Sequence, residues 1–407
     1  MKIQIIREGK VPPDSRVPLT PKQCRQIAAE HPEISIQVAP SPNRCYTDVE
    51  YQEQGVTLAA DPSDADILMG VKEVPIAQLV PRKTYFFFSH TIKEQAYNRK
   101  LLLACLQRGI RLLDYEVLTG ANGKRVIAFG KFAGMVGAHN ALWTYGQRTG
   151  LIALPRLRDL RDYAEAKALY AGLTLPPIKI VLTGTGRVGR GAALVLRDMG
   201  IREVTPEEFL HQTFDEFPVF TILRGRDYAR RSDHTTFDKA DFFANPAAYD
   251  SVFRPYYRVA DVMINGIYWD NAAPAFFTAE EMRLPEFKIR VIADVTCDIA
   301  PVSSIPSTLE ASTIANPIFG YDVETMTITE PHQPDVVDMM TIDNLPNELP
   351  RDASRAFGKQ FIEHVLPEVM KEYVHGQPSA MLERATVCRD GKLGKHFQYL
   401  SDYVAGA

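Results

Sequence analysis

The feature that most limits what this chain can fold into is a short apolar run ending in a glycine-rich turn. Pro176-Pro177 stop the preceding pattern, and Ile178-Lys179-Ile180-Val181-Leu182 then reads as a strand. It runs into Thr183-Gly184-Thr185-Gly186-Arg187-Val188-Gly189, after which Val188–Asp198 has the apolar spacing of a helix. In that order, glycines permit a tight turn and let backbone N–H groups approach a pyrophosphate at a helix N-terminus. A glycine turn that binds nothing is the plainer explanation. The strand before and the helix after favour a dinucleotide site over Gly184, Thr185, Gly186, Arg187, Val188 and Gly189. The acidic residue expected about 20 residues further on, at the end of the next strand, is missing. Thr205 and Pro206 stand there, with Glu207 and Glu208 slightly late. A site without that carboxylate accepts a 2′-phosphate more readily, and Arg224 or Arg226 could meet one, although ordinary surface charge is the commoner role. The expected cofactor is NAD(H) or NADP(H), leaning to NADP(H).

A chain of 407 residues holds two or three domains at roughly 150 residues each. The net charge of −4 excludes a strongly basic nucleic-acid binder, and 45% hydrophobic residues suffice for a sizeable core. No apolar run approaches the ~18 residues of a membrane span, and Met1–Glu8 meets charge too soon for a secretory signal. The five cysteines form no CxxC pair and no zinc spacing. The expectation is a reduced, cytoplasmic protein with no metal, no nucleic acid and no membrane among its partners. Whether it forms a homo-oligomer is open at this level.

Before the glycine turn, strands and helices alternate. Ile3–Ile6, Ile34–Val38, Ile67–Val71, Thr84–Ser89 and Ile110–Leu113 read as strands. Pro21–Glu30, Thr47–Gln54 and Glu94–Arg108 read as helices. Longer helical patterns run over Lys131–Thr149 and Leu157–Ala171, and a last one from Pro350 to Tyr373. The fold class is therefore α/β: two Rossmann-like domains with parallel sheets. The expected boundaries are 1–135 plus 345–407 for the first domain and 136–344 for the dinucleotide-binding domain.

Three segments of the first domain put ionisable groups where strands end. They are Arg16-Val17-Pro18-Leu19-Thr20-Pro21, Lys72-Glu73-Val74-Pro75 and His90-Thr91-Ile92-Lys93. Residues just beyond the carboxyl ends of parallel strands line the ligand crevice. An arginine there suits a substrate carboxylate, a lysine crowded by cations can serve as a base, and a histidine titrates near neutrality. Singly, each is more often a solvated charge or a structural residue. Their equivalent positions, beside a nucleotide domain, argue for function.

In this order, with a central GxGxxG, these segments resemble the superfamily of alanine dehydrogenase, transhydrogenase and lysine-forming saccharopine dehydrogenase. Asp114-Tyr115-Glu116 with Arg125–Gly130 and Ala133-Gly134, Asn265–Asp270, and Thr341–Arg351 resemble the saccharopine branch. The last two are closest to the lysine–2-oxoglutarate reductase domain of bifunctional aminoadipic semialdehyde synthases. The resemblance implies an active-site cleft between the domains and interconversion of saccharopine with lysine and 2-oxoglutarate. It implies Lys72 as the base and His90 as the acid–base group. Glu73 and Glu116 would tune them, Arg16 and Arg125 would hold carboxylates, Lys93 would pair with Asp343, and Lys10 would stand near the pocket. Asn265, Gly266 and Asp343 would join the cofactor site. Mutual repulsion among the cations would lower the pKa of Lys72. Alanine dehydrogenase or another amino-acid or opine dehydrogenase is the runner-up, and a non-catalytic nucleotide-binding module the third reading. Phe129-Gly130, Tyr268-Trp269 and Asp343-Asn344 speak against the first, and Lys72 with His90 against the second.

Overall fold

A computed structural model describes residues 1–406. The chain divides into two compact units, one of Met1–Ala128 with Pro350–Ala407 (Ala407 itself lies outside the described residues), the other Phe129–Leu349. These boundaries fall at 128 and 350 rather than at 135 and 345. The reason is the helix Gly130–Thr149, which packs as one piece against the helix Arg187–Asp198.

In the first unit, β1 (Lys2–Ile5), β2 (Ser35–Val38), β3 (Thr57–Leu58), β4 (Ile67–Met69), β5 (Thr84–Phe87) and β6 (Arg111–Asp114) pair in parallel. Their order is β3-β2-β1-β4-β5-β6, so the direction of winding reverses between β1 and β4. That reversal leaves a crevice at the carboxyl ends, where ligands of such sheets bind. The expected all-parallel sheet is in fact mixed, because Thr386–Arg389 adds antiparallel to β6 and Lys392–Leu393 pairs antiparallel with it. The C-terminal helix Pro350–Gln360 continues through a π turn into Leu366–Tyr373. It lies on this unit, where Ser354 Oγ accepts the Val17 N–H at 2.9 Å and Phe357 meets the Tyr115 ring edge-on at 4.8 Å. The expected helix Glu94–Arg108 shrinks to Arg99–Gln107. Glu94 takes a left-handed backbone, φ 55°, and so ends the turn before it.

In the second unit, β7 (Lys179–Thr183), β8 (Arg202–Glu203), β9 (Val219–Leu223), β10 (Ala229–Arg231), β11 (Tyr249–Ser251), β12 (Val262–Asn265), β13 (Val291–Asp294), β14 (Ile318–Asp322), β15 (Thr327–Thr329) and β16 (Val336–Met340) follow in chain order. The main sheet has the order β15-β14-β16-β13-β12-β7-β9-β8, with β10 and β11 forming a separate hairpin. It too is mixed, since β14 runs antiparallel to β16 and β15. Leu157–Ala171 keeps only Tyr163–Tyr170 as α-helix, started by the Asp162 side chain capping Ala164 and Glu165. Among the described residues, no helix is long and apolar enough to cross a membrane.

The helices Gly130–Thr149 and Arg187–Asp198 approach so closely that side chains would not fit between them. A Cβ on Gly134 would run into the Val188 carbonyl oxygen, and one on Gly191 into that of Lys131. Backbone cannot give way as a flexible side chain can. Gly134→Ala is therefore expected to destabilise this unit by about 1–3 kcal/mol. A fall of roughly 3–10 °C in its thermal midpoint would show it, and an unchanged midpoint would contradict this packing.

Candidate active site

In the first unit, the loops after β1, β4, β5 and β6 bring the expected residues to one edge of the sheet. Asp114, at the end of β6, is fully buried and accepts the N–H (2.9 Å) and hydroxyl (2.5 Å) of Ser89. Past Ser89 the chain enters a left-handed turn at His90, φ 54°, an uncommon conformation for a residue with a side chain. There His90 Nδ1 meets Glu73 Oε1 at 2.6 Å, while Lys10 Nζ reaches Glu73 Oε2 at 2.9 Å. Glu73 is thus the hub joining the loops of β1, β4 and β5. Burial raises its pKa, but the hydrogen bonds from His90 and Lys10 win and hold it at about 2. An ionised Glu73 only accepts, so Nδ1 of His90 carries a proton and Nε2 is left for exchange.

Lys72 is half-buried next to Glu73, and among the described residues its Nζ has no hydrogen bond or ion pair. Its pKa is lowered, first by burial and second by Arg16, against the opposing pull of Asp14 and Glu73. Repulsion among cations, the expected cause, is therefore secondary to desolvation. Arg16 is buried, with Nε and Nη2 on the two oxygens of Asp14 at 2.9 and 2.6 Å. That edge of the guanidinium, expected to take a substrate carboxylate, is already filled. Asp14 is a site residue the sequence reading missed, and its position two residues before Arg16 is the only signal for it.

A second charge cluster stands on the β6 side. Glu116 faces Lys93 at 3.4 Å and Arg125 at 3.5 Å. Within this unit Lys93 pairs with Glu116, and its expected partner Asp343 belongs to the second unit. Arg125 also donates from Nε to the Ile127 carbonyl (2.7 Å) and lies over the Phe88 ring at 5.4 Å. Among the described residues the buried Glu116 Oε2 has no hydrogen-bond partner, so this cluster retains acceptor capacity.

The second unit holds a cavity of about 780 Å³ at the glycine turn. Gly184, Thr185, Gly186 and Gly266 line it, with Arg224, Arg226 and Lys239 as the charged lining residues among those described and Phe237, Phe242 and Tyr228 as an aromatic wall. Gly184 has φ 97°, and a Cβ there would stand 2.5 Å from the Gly266 carbonyl oxygen. At Gly186 a Cβ would meet nothing within 4 Å, and this residue starts the helix Arg187–Asp198 without any side-chain cap. Open space before uncapped helix N–H groups fits a dinucleotide pyrophosphate. Val188 and Gly189 support the turn from behind: Val188 packs on Gly266, and a Cβ on Gly189 would strike the Gly184 carbonyl oxygen. Arg187 begins the helix and is not one of the residues lining the cavity.

Asn265 is a correction. Its side chain is fully buried, accepting from Thr183 Oγ1 (2.7 Å) and donating to Asp294 Oδ1 (2.9 Å) and Ser304 Oγ (3.0 Å). It ties β7, β12 and β13 together beneath the turn and offers no group to a nucleotide. Asp343 is exposed just past the end of β16, adds to the burial and the Asp294 charge that raise the Cys297 thiol pKa, and is not among the residues lining the cavity.

The missing acidic strand end also has a topological explanation. β8, the next strand in sequence, is at the sheet edge and pairs only with β9. Glu208 there is used in a capping box with Thr205. Between β7 and β8 lies β9, which ends at Leu223 followed by Arg224. A cation, not a carboxylate, follows the neighbouring strand.

Residues 4–136 match the family model of the alanine dehydrogenase/PNT N-terminal domain. Among solved structures, the fold is similar to an L-alanine dehydrogenase, with TM-score 0.65 and 15% identity over 99% of this chain and all of that one. Two α/β units, one with a charged carboxyl-edge crevice and one with a dinucleotide-type turn, thus make up an alanine dehydrogenase-like fold. In sequence the chain is 30% identical over 433 residues to the mitochondrial alpha-aminoadipic semialdehyde synthase of Mus musculus, covering 95% of this chain and 46% of that protein. It is 28% identical over 387 residues to the saccharopine dehydrogenase (NAD(+), L-lysine-forming) of Emericella nidulans, covering 90% and 91%. The chain spans about half the length of the semialdehyde synthases it matches. It is similar in sequence to both, and its residues 4–136 also match the domain model named for alanine dehydrogenase.

Proposed function

We propose that this protein is an NAD(P)(H)-dependent oxidoreductase that interconverts saccharopine with L-lysine and 2-oxoglutarate. The observation that carries this reading is the cluster of Lys72 beside a Glu73 held by His90 and Lys10. Saccharopine has three carboxylates and a secondary amine. The first unit places Lys10, Lys72, Lys93 and Arg125 at one sheet edge, cationic enough to attract such a molecule. When bound, a nicotinamide nucleotide would supply or accept the hydride at the carbon bearing that amine. Lys72, with its lowered pKa, takes the proton of the amine. His90, oriented by Glu73 through Nδ1, presents Nε2 to add or remove protons as water enters the imine and the carbinolamine breaks down. Glu116 keeps Lys93 and Arg125 in place for substrate carboxylates, and Arg16 stabilises the loop through Asp14. Turnover of NAD(P)H with 2-oxoglutarate plus lysine, and none with pyruvate plus ammonia, is the expected result of a substrate panel. Turnover with pyruvate and ammonia instead would make the protein an alanine dehydrogenase, and nucleotide binding with no turnover a non-catalytic module.

The finer cofactor reading is NADP(H). Arg224, Arg226 and Lys239 are the charged residues of the cavity wall, and Arg224 follows the strand whose end faces the adenosine ribose in this fold. Arg224→Ala with Lys239→Ala should raise the KM for NADPH about tenfold or more and leave that for NADH nearly unchanged. Equal effects on both coenzymes would refute a 2′-phosphate role.

A further inference from the structure

The turn that carries Lys72 and Glu73 is held from two sides. From β5, the Phe86 carbonyl accepts the Gly70 N–H at 2.9 Å, and the Phe88 N–H donates to the Val71 carbonyl at 3.0 Å. From the β1 loop, one carboxylate takes the next two amides. Val71 N–H donates to Glu8 Oε1 at 2.5 Å, and Lys72 N–H to Glu8 Oε2 at 3.0 Å. Gly70 makes room for this approach, since a Cβ there would stand 3.2 Å from Glu8 Oε1. We propose that Glu8 is a positioning residue for Lys72, clamping its backbone so that Nζ is delivered, without a partner of its own, among Arg16, Asp14, Glu73 and Lys10. This rests on the proton-handling role given to Lys72 above.

The chemistry of the clamp is specific. An ionised carboxylate offers two acceptors and no donor, which is what two converging N–H groups require. A glutamine of nearly the same shape would turn one NH2 toward an N–H, donor against donor. The groups facing Glu8 are Asp14 and Arg16, besides the amides of Val71 and Lys72. Burial and Asp14 push its pKa up to about 8, against those amides and Arg16. The clamp is therefore strongest above that pH, and it loosens as the pH falls through it.

Glu8→Gln tests this without relying on the assigned substrate. Lys72 in the intact protein is acetylated competitively across a pH series and quantified by peptide mass spectrometry, with exposed Lys22 and Lys100 as internal references. The expected result is a change of about threefold or more in Lys72 labelling, with the references unmoved. In turnover, kcat should fall roughly 10–100-fold, as for a reactive group displaced by about an ångström, while nucleotide affinity holds. Superimposable Lys72 labelling in the variant and the wild type overturns the proposal, whatever happens to kcat. If Glu8→Gln does not fold, Glu8→Asp replaces it: a shorter carboxylate that changes Lys72 labelling supports the clamp, and one that leaves it unchanged overturns it. Absence of wild-type turnover with lysine and 2-oxoglutarate would count against the assigned reaction and leave the labelling result standing.

Discussion

Lys72→Met should lower kcat by about 10²–10⁴, the usual contribution of a positioned acid–base group, while the Kd for the nucleotide stays within a factor of about two. The separation is expected because Lys72 lies in the first unit and the glycine turn in the second. Methionine fills nearly the same volume, so the loss reports the missing amine and not a cavity. The pH dependence follows from the direction of the Lys72 shift. Burial and Arg16 lower its pKa below the ordinary 10.5, so the neutral form becomes available at lower pH than for a free lysine. In the direction of saccharopine oxidation, activity should rise with pH through that value, and Lys72→Met should lose this limb. A variant retaining both kcat and the limb would remove Lys72 from the chemistry and leave His90 as the remaining acid–base candidate.

The largest expected stability effect lies away from the chemistry, at Glu348. Its side chain is fully buried, accepts from Arg156 Nε at 3.1 Å and a second time from Nη2, and accepts Asn140 Nδ2 at 3.1 Å. Arg156 also lies over the Trp143 ring at 4.9 Å. Glu348→Ala leaves that guanidinium in the interior without its counter-charge, which costs about 3–5 kcal/mol. By contrast, removing the exposed Arg197–Glu203 pair should change stability by less than about 1 kcal/mol. Urea unfolding of the two variants, followed by a probe in the second unit, compares them directly. Similar midpoints for both would mean that the Arg156–Glu348 pair is not sealed from water.

What the sequence made legible was local. The strand, glycine turn and helix around Gly184–Gly189 depend on a few consecutive residues, and backbone geometry fixes their form. The strand-end positions of Lys72 and His90 were likewise readable, because apolar runs ended just before them. What was hidden depends on which strands become neighbours. The search for a carboxylate near Thr205 followed chain order, whereas the sheet places β9 next to β7 and so brings in Arg224. Glu73 could be seen beside Lys72, but its simultaneous hold on His90 and Lys10 spans three loops. Asn265 looked like a nucleotide contact, and only burial among Thr183, Asp294 and Ser304 reveals a purely structural role. Arg16 was read as free to take a substrate, since no spacing rule says that Asp14 would occupy its fork.

The proposed reaction is oxidation of saccharopine at its carbon–nitrogen bond, with release of lysine. The most direct measurement incubates purified protein with saccharopine and NADP+ or NAD+, and quantifies products by mass spectrometry alongside the absorbance of the reduced nucleotide. Saccharopine, oxidised nucleotide and water should yield lysine, 2-oxoglutarate, reduced nucleotide and a proton, with lysine and reduced nucleotide forming in equal amounts. Equal yields are expected, with both products forming about 10²–10⁴ times more slowly in Lys72→Met. No lysine from saccharopine with either nucleotide, by protein that binds the nucleotide and reduces it with alanine instead, would contradict it.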